Sequence, residues 1–491
     1  MRSLDNTPNH RQICWSVTDA IGRPVPAIDA KRRDRSSEVE AYRRLIPLMH
    51  QPGYSPKEET LSPHPILTDK SFLVRMRHTH DALVKAVVNI VDRWWTDTDA
   101  DFPARLPLEK HVEEVLQWID EQSRNQMFPE FQDRLGNWRP DFLVTENSCA
   151  NGPGFQICEI NSRTPDNVIV LSAHKHRQMR QLMGPSSVLQ PAGDYDDWID
   201  SFFSLLHTHL PIHILRGRDE LQRQELVRLV ELRTGIRPRF VNVNNVELKH
   251  DESSATGYSL YCRDQVACEK IHQVVVTLFP DEFTLLSQDM LRQLATVAVN
   301  DLRASLLVND ERFLGIILQE INSLVAEHHI LTPGQGRALQ QGIVPTLLPG
   351  SLELKYWVGR QIQGEVSKND YILKAARQSR GRGHLLGADL SPEEWTRIML
   401  DMQDPSIRPG VTSYVLQPFL QQVKFDIIGD EDNKVHGNFL VGCYYTINGR
   451  FLGLGPWRSS TDRICNVYSR MGCLGLYSVT RSHVDGQEAL V

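Results

Sequence analysis

The chain has no apolar run approaching the roughly 20 residues that a bilayer crossing requires. Its first residues, Met1-Arg-Ser-Leu-Asp-Asn-Thr-Pro8, lack the apolar centre of a secretory leader. These two absences lead us to expect a cytoplasmic protein without membrane association. There is no Cys-x-x-Cys pair among the eight cysteines. The histidine doublets His78/His80, His174/His176, His207/His209 and His328/His329 lack the spacing and partners of a zinc site. Structural zinc is therefore not expected, and the thiols should stay reduced. Positive charge is not in surplus: the formal net charge is -7, which argues against nucleic acid as a partner. No Gly-x-Gly-x-x-Gly follows a strand, and no Gly-x4-Gly-Lys-Ser/Thr occurs. Neither a Rossmann dinucleotide site nor a P-loop is supported.

What is present begins with 491 residues, enough for roughly two to four domains with buried cores. The stretch Asn137-Trp-Arg-Pro-Asp-Phe-Leu-Val144 and the stretch Gly154-Phe-Gln-Ile-Cys-Glu-Ile-Asn-Ser-Arg-Thr-Pro165 read as two strands. The turn-prone loop Glu146 to Gly154 joins them. Simple alternation places Phe155, Ile157, Glu159 and Asn161 on one face, at the edge of apolar surroundings. A carboxylate there is costly unless something positive meets it. Asp141, in the first strand behind Arg139, can face the same point. Oxygens of Asp141, Glu159 and Asn161 converging there suit Mg²⁺, which takes one or two carboxylates and fills its shell with water and phosphate oxygens. The plainer alternative is an ordinary hairpin whose carboxylate pairs with an arginine.

Residues 1–60 show no sustained periodicity, and a partly ordered arm is expected. Apolar spacing predicts helices from Asp81 to Trp95 and from Leu108 to about Gln122. A further amphipathic helix is predicted from Asp196 to Leu210. From Pro211 the rhythm alternates. Strands are expected at Ile212–Leu215, Arg239–Asn242, Tyr258–Cys262, Val274–Phe279 and Ala304–Val308. Helices are expected at Asp219–Thr234 and Asp281–Ala295. This alternation argues for a parallel sheet with helices on its faces. A helix from Asp310 to Val325 precedes a strand-rich C-terminal third, where Asn448-Gly449 signals a hairpin.

In that third, Tyr371-Ile-Leu-Lys374 leads into a loop with Arg377, Arg380, Gly381, Arg382 and Gly383. Glycine lets backbone N–H groups turn toward an anion, and the cations supply charge, which is what a triphosphate needs without a P-loop. Combined with magnesium held by acidic ligands, these are the parts of phosphoryl transfer. Gln417 could present its amide to an adenine edge. Arg458, past Gly453-Leu-Gly455, could clamp a transferring phosphoryl group.

Taken together, Arg139-x-Asp141, Cys158-Glu-Ile-Asn-x-x-Thr-Pro165, Tyr371-Ile-Leu-Lys374, Tyr414-Val-Leu-Gln-Pro418 and Gly453-Leu-Gly-x-x-Arg458 resemble the circularly permuted ATP-grasp ligases. The pattern is similar to the synthetase domain of glutathionylspermidine synthase. In that family the magnesium ligands precede the ATP-gripping lysine, the order found here. The resemblance implies an α/β (α+β) fold: an N-terminal arm (1–75), a helical region (76–136), a magnesium-ligand segment (137–195), a Rossmann-like pre-ATP-grasp domain (196–309) and an ATP-binding part (310–491). It implies Asp141, Glu159 and Asn161 on Mg²⁺. Lys374 and the Gly381-Arg382-Gly383 loop would hold ATP phosphates, with Gln417 near adenine and Arg139 and Arg458 near an acyl phosphate. The activity implied is an ATP-dependent carboxylate–amine ligase acting on a small acid and a small amine. The alternative is an ATP-grasp-like nucleotide binder without ligase activity. Two departures stand out. Relatives often carry a second ATP-gripping lysine at the start of the helix here spelled Asn309-Asp-Glu-Arg312, where this chain has Glu311; either Arg312 substitutes or nucleotide affinity is low. Arg163 replaces the acidic residue of Glu-x-Asn-x-Asp-Thr-Pro, which argues against a polyamine substrate.

Overall fold

The computed structural model describes residues 10–45, 62–149, 152–165, 167–185, 188–218, 224–254, 256–263, 268–378, 381–408, 410–428, 435–465 and 474–481. Asp219 and Arg380 lie outside these residues.

The largest sheet is antiparallel throughout and has seven strands. Its path runs Leu474–Leu476, Trp457–Ser460, Val435–Ile447, Asn137–Cys149, Gly152–Asn161, with Phe425–Ile428 and Arg450–Leu454 also paired to the long strand Val435–Ile447. Asn448 and Gly449 both have positive φ, 46° and 76°, so the hairpin they close is the tight type their sequence signals. The helix Lys70–Arg93 lies on this sheet's core, burying Phe72, Met76, Leu83, Val87 and Ile90 along one stripe. It begins eleven residues before the predicted start because Asp69 caps it, accepting a hydrogen bond from Ser71 N.

The acidic hairpin is real, but its pleat is not regular. Asp141 pairs with Glu159 while Phe142 pairs with Ile157, leaving Cys158 as the extra residue of a β-bulge. The bulge shifts the alternation by one position. Ile160, not Glu159, joins Phe155 and Ile157 in the core, and Glu159 and Asn161 sit on the more open face.

A three-stranded parallel sheet, ordered Val274–Val276, His213–Arg216, Arg239–Asn242, carries the alternating pattern. Tyr258–Arg263 is not part of it; this strand pairs antiparallel with Val246–His250 and Cys268–Lys270. Ala304–Val308 is a π-helix rather than a strand, with all five residues buried. A short apolar run fits a buried helical turn as well as a strand, and periodicity alone does not separate them.

The aperiodic N-terminal stretch contains strands His10–Thr18 and Pro24–Pro26 and the helix Arg32–Leu45. The first strand enters a five-stranded sheet with Ile66–Thr68, Ser478–Arg481 and Leu189–Pro191. There the two ends of the described chain meet, Ile66–Leu67 running parallel to Ser478–Val479. A further sheet joins Leu385–Leu386, Tyr371–Ala375 and Tyr414–Pro418. Among the described residues, no helix is long and apolar enough to cross a membrane.

Candidate active site

Cross-strand pairing in the hairpin sets Arg139 opposite Asn161 and Asp141 opposite Glu159. Asp141 has no exposed surface. Its carboxylate accepts from Arg139 Nε at 3.0 Å and forms an ion pair with Arg458. Arg458 reaches it from the neighbouring part of the same sheet, where Val441 pairs with both Arg458 and Leu143. Asn161 Nδ2 donates to Glu159 Oε1 at 2.9 Å. The hairpin therefore does pair its buried carboxylate with arginines, as its plainer reading requires, and in addition gathers three oxygen-bearing side chains at one place.

The second half of the cluster comes from the strand Tyr371–Ala375. Ile372 lies opposite Gln417 and Lys374 opposite Val415, so Lys374 and Gln417 point to the same face. Lys374 Nζ donates to Cys158 O at 2.6 Å, stands 3.4 Å from Glu311 Oε2 and is 3.9 Å from Glu159 Oε2. The carbonyl it uses belongs to the bulge residue, so the bulge both turns Glu159 outward and presents an acceptor to the lysine. Gln417 Nε2 donates to Thr346 Oγ1 at 3.0 Å. After the lysine strand the chain turns through Gly381 and Gly383, with φ of 68° and 74°. A Cβ on Gly383 would come 3.2 Å from that of Ala375, so the turn folds back on its own strand. Arg382 is exposed on it.

Electrostatics divide the cluster. Burial pushes the Asp141 carboxyl up to about 6, against the pull of Arg139 and Arg458. Burial also acts to raise Glu159, but Lys374, the hydrogen bond with Asp141, Arg458 and Asn161 together hold it well below the usual carboxylate range. Lys374 loses solvation on burial, yet Glu311, Cys158 and Glu159 keep its ammonium charged to high pH. Burial drives Glu311 up to about 8, with Lys374 opposing.

Arg312 does not reach the cluster. It is fully buried, holds both Asp310 oxygens at 2.9 and 2.8 Å, and donates to Pro107 O at 3.1 Å. Asp310 claims it because a buried guanidinium needs a fixed carboxylate partner. Arg163 is likewise engaged: it donates to the carbonyls of Thr277 and Leu278, and its guanidinium lies 4.1 Å over the Phe279 ring.

Two residues at the cluster escape sequence reasoning. Glu311 is one, marked only by its place where relatives carry lysine. His384 is the other, and its signal was its position directly after the Gly381–Gly383 turn. Glu159, Glu311 and His384 each bring one ligand atom within 4.8 Å of the others. His384 Nδ1 is buried without a hydrogen-bond partner. The oxygen donors of Asp141, Glu159 and Asn161 are hard and suit Mg²⁺ chemically, and the two carboxylates already face cations, the charge a metal would bring, while the Asn161 amide donates to Glu159 and to Arg139 O.

Comparison with known proteins bears on the family and the fold. The family model of the AnkG N-terminal domain matches residues 79–307. The ATP-grasp enzyme ankG of Aspergillus thermomutatus is 36% identical over 485 residues, covering 93% of this chain and 97% of that protein. The apo structure of a glutathione synthetase-like effector (GSS30) from Globodera pallida superposes with a TM-score of 0.53 at 11% identity, over 92% of this chain and 99% of that one. With a relative of that identity matched nearly end to end, and a mixed helix-and-sheet fold shared with a glutathione synthetase-like protein, this chain belongs to the ATP-grasp enzymes.

Proposed function

We propose that the protein is an ATP-dependent carboxylate–amine ligase of the circularly permuted type. The observation that carries this reading is the meeting of Glu159 and Lys374, 3.9 Å apart although 215 residues separate them in the chain. Asp141, Glu159 and Asn161 would hold Mg²⁺, which would supply positive charge to neutralise phosphate oxygens. Lys374 and the Gly381-Arg382-Gly383 turn bind ATP phosphates, and Gln417 lies at the adenine. A substrate carboxylate oxygen takes the γ-phosphoryl group, releasing ADP. The amine nitrogen then attacks the acyl carbon, phosphate leaves, and the nitrogen gives up a proton to form the amide. Arg139 and Arg458 stabilise the charge that accumulates on the phosphoryl oxygens. The substrates are a small acid and a small amine.

The test is a library of acids and amines, read by ADP release and by product mass. Wild type should turn over at least one pair, and Glu159→Ala or Lys374→Ala should reduce ADP formation by 100-fold or more. Normal turnover by either variant refutes the assignment. The second reading, a nucleotide binder without ligase activity, draws on Glu311 occupying Lys374. It is favoured if ATP binds while every substrate pair stays silent.

A further inference from the structure

A cavity of about 640 Å³ lies between two helices, and none of its lining residues belongs to the cluster described above. One wall is the helix Lys70–Arg93, which turns Lys70, Leu73, Val74 and Arg77 toward it, a spacing that puts all four on one helical face. The other wall is the helix Asn167–Met183, with His176, Arg177 and Arg180. The strand Arg450–Leu454 supplies the floor through Phe451, Leu452 and Gly453. That floor is built closely: a Cβ on Gly453 would come 2.4 Å from Ala192 O.

The charges on these walls are not balanced. Arg180 pairs with Asp194 at 3.3 Å. Arg77 meets only the Phe451 ring, at 5.6 Å. Arg177 meets His174 Nδ1 and, at 4.2 Å, the Tyr195 ring. Lys70, Arg77 and Arg177 thus have no carboxylate partner among the described residues. Val74, an apolar residue on the same wall, is 66% exposed. In the wall His176 is buried and its Nε2–H donates to Leu454 O at 3.1 Å, fixing the helix against the floor strand.

Unpaired cations on both walls ask for more than one negative group spread along a ligand. Apolar rings and an uncovered valine ask for a carbon skeleton between them. The carboxylates of Asp194 and Asp196, which also line the cavity, ask for an N–H or O–H donor. We propose that this cavity binds a small polycarboxylate bearing a hydroxyl or amino group. Dispersed single cations suit separated carboxylates better than one concentrated phosphate, and Asp194 and Asp196 at the cavity accept the donor end. This site does not depend on the ligase reading.

The full chain should be titrated with di- and tricarboxylates with and without an α-hydroxyl or α-amino group, with inorganic phosphate and with a sugar phosphate. Calorimetry and thermal shift are the readouts. At least one hydroxy- or amino-polycarboxylate should bind, tenfold or more tighter than its counterpart lacking the donor. The double variant Arg77→Gln/Arg177→Gln, with unaltered melting temperature in the absence of ligand, should weaken that binding at least tenfold. Glu159→Ala should leave it unchanged, which separates this site from the ATP cluster. Binding of phosphates alone, no binding by any acid, equal binding by the double variant, or loss in Glu159→Ala each overturns the proposal.

Discussion

At the scale of single residues, the unusual feature of the cluster is Glu311. Lys374 already has a carbonyl, Cys158 O, and a carboxylate, Glu159, within reach. Glu311 adds a second buried carboxyl at 3.4 Å, one that burial keeps protonated until pH rises through about 8. Above that pH a triphosphate arriving at Lys374 must compete with the carboxylate and also meets its repulsion in a poorly solvated place. Glu311→Gln keeps the shape and removes the charge. At about pH 9, where the carboxyl is ionised, it should tighten ATP binding in the presence of Mg²⁺ by about tenfold, equivalent to about 1.4 kcal/mol, and the gain should shrink as pH falls below about 8. Because burial outweighs Lys374 in setting the ionisation of Glu311, the substitution should not lower stability at about pH 9, where the carboxylate charge is a cost to the fold. Isothermal titration and urea unfolding measure the two effects. Unchanged or weaker ATP binding means Glu311 is not an obstacle, and its part in the cluster has to be sought elsewhere.

At the scale of elements, the start of the helix Arg312–Ala326 shows how a motif can be located correctly while its side chain is not. Asp310 accepts from Arg312 N at 3.0 Å as well as from the guanidinium, so the pair satisfies the first N–H of the helix and closes its own charge. Arg312→Met should cost about 3 kcal/mol, since it leaves a buried carboxylate with only the more distant Arg377, at 3.8 Å, among its cationic partners in the described residues. Adding Asp310→Asn should restore much of that loss, and ATP affinity should stay within about threefold of wild type throughout. A large loss of ATP affinity in Arg312→Met with the fold intact would return Arg312 to the nucleotide. The same reasoning separates what was legible in the chain from what was not. The acidic hairpin and the lysine strand were readable, because alternation and turn residues act locally. The bulge at Cys158 was not, since an extra residue in one strand is defined only against its partner. Ala304–Val308 was misread because five apolar residues carry no period. Tyr258–Cys262 was read as a strand correctly but given to the wrong sheet, a matter of tertiary pairing. Glu311 was noticed as a departure, yet its contact with Lys374 depends on a chain separation that no local pattern reports.

For the whole molecule, three buried histidines tie distant segments to the large sheet. The His10 ring, in the first strand, packs edge-on against Phe72 at 4.4 Å and beside Trp457 at 5.4 Å. His176 joins the helix Asn167–Met183 to Leu454 O. His80 joins the helix Lys70–Arg93 to the Asn448-Gly449 turn: its Nε2–H donates to Gly449 O at 2.9 Å, and Nδ1 lies 3.3 Å from Tyr444 Oη. Burial lowers His10 to about 3 and both His80 and His176 to about 4, the Gly449 contact opposing it at His80. A base whose folded value lies below its unfolded value of 6.5 leaves the unfolded chain binding more protons between the two. Stability from this source is complete above about pH 6.5 and falls as pH drops toward 4. Asp92 and Asp141, raised to about 6 by burial, act in the opposite sense over part of this window and flatten the total. The clean measurement is therefore a difference. Between pH 7.5 and 5.5, His80→Gln should lose about 1 kcal/mol less unfolding free energy than wild type, because only wild type gains a protonated unfolded His80. Gln retains a donor for Gly449 O, so the variant's own cost should be modest and independent of pH. Denaturant melts at the two pH values decide it. A gap between variant and wild type that does not change with pH means the imidazole takes its proton equally in both states, and the ring is then not the neutral link its burial requires.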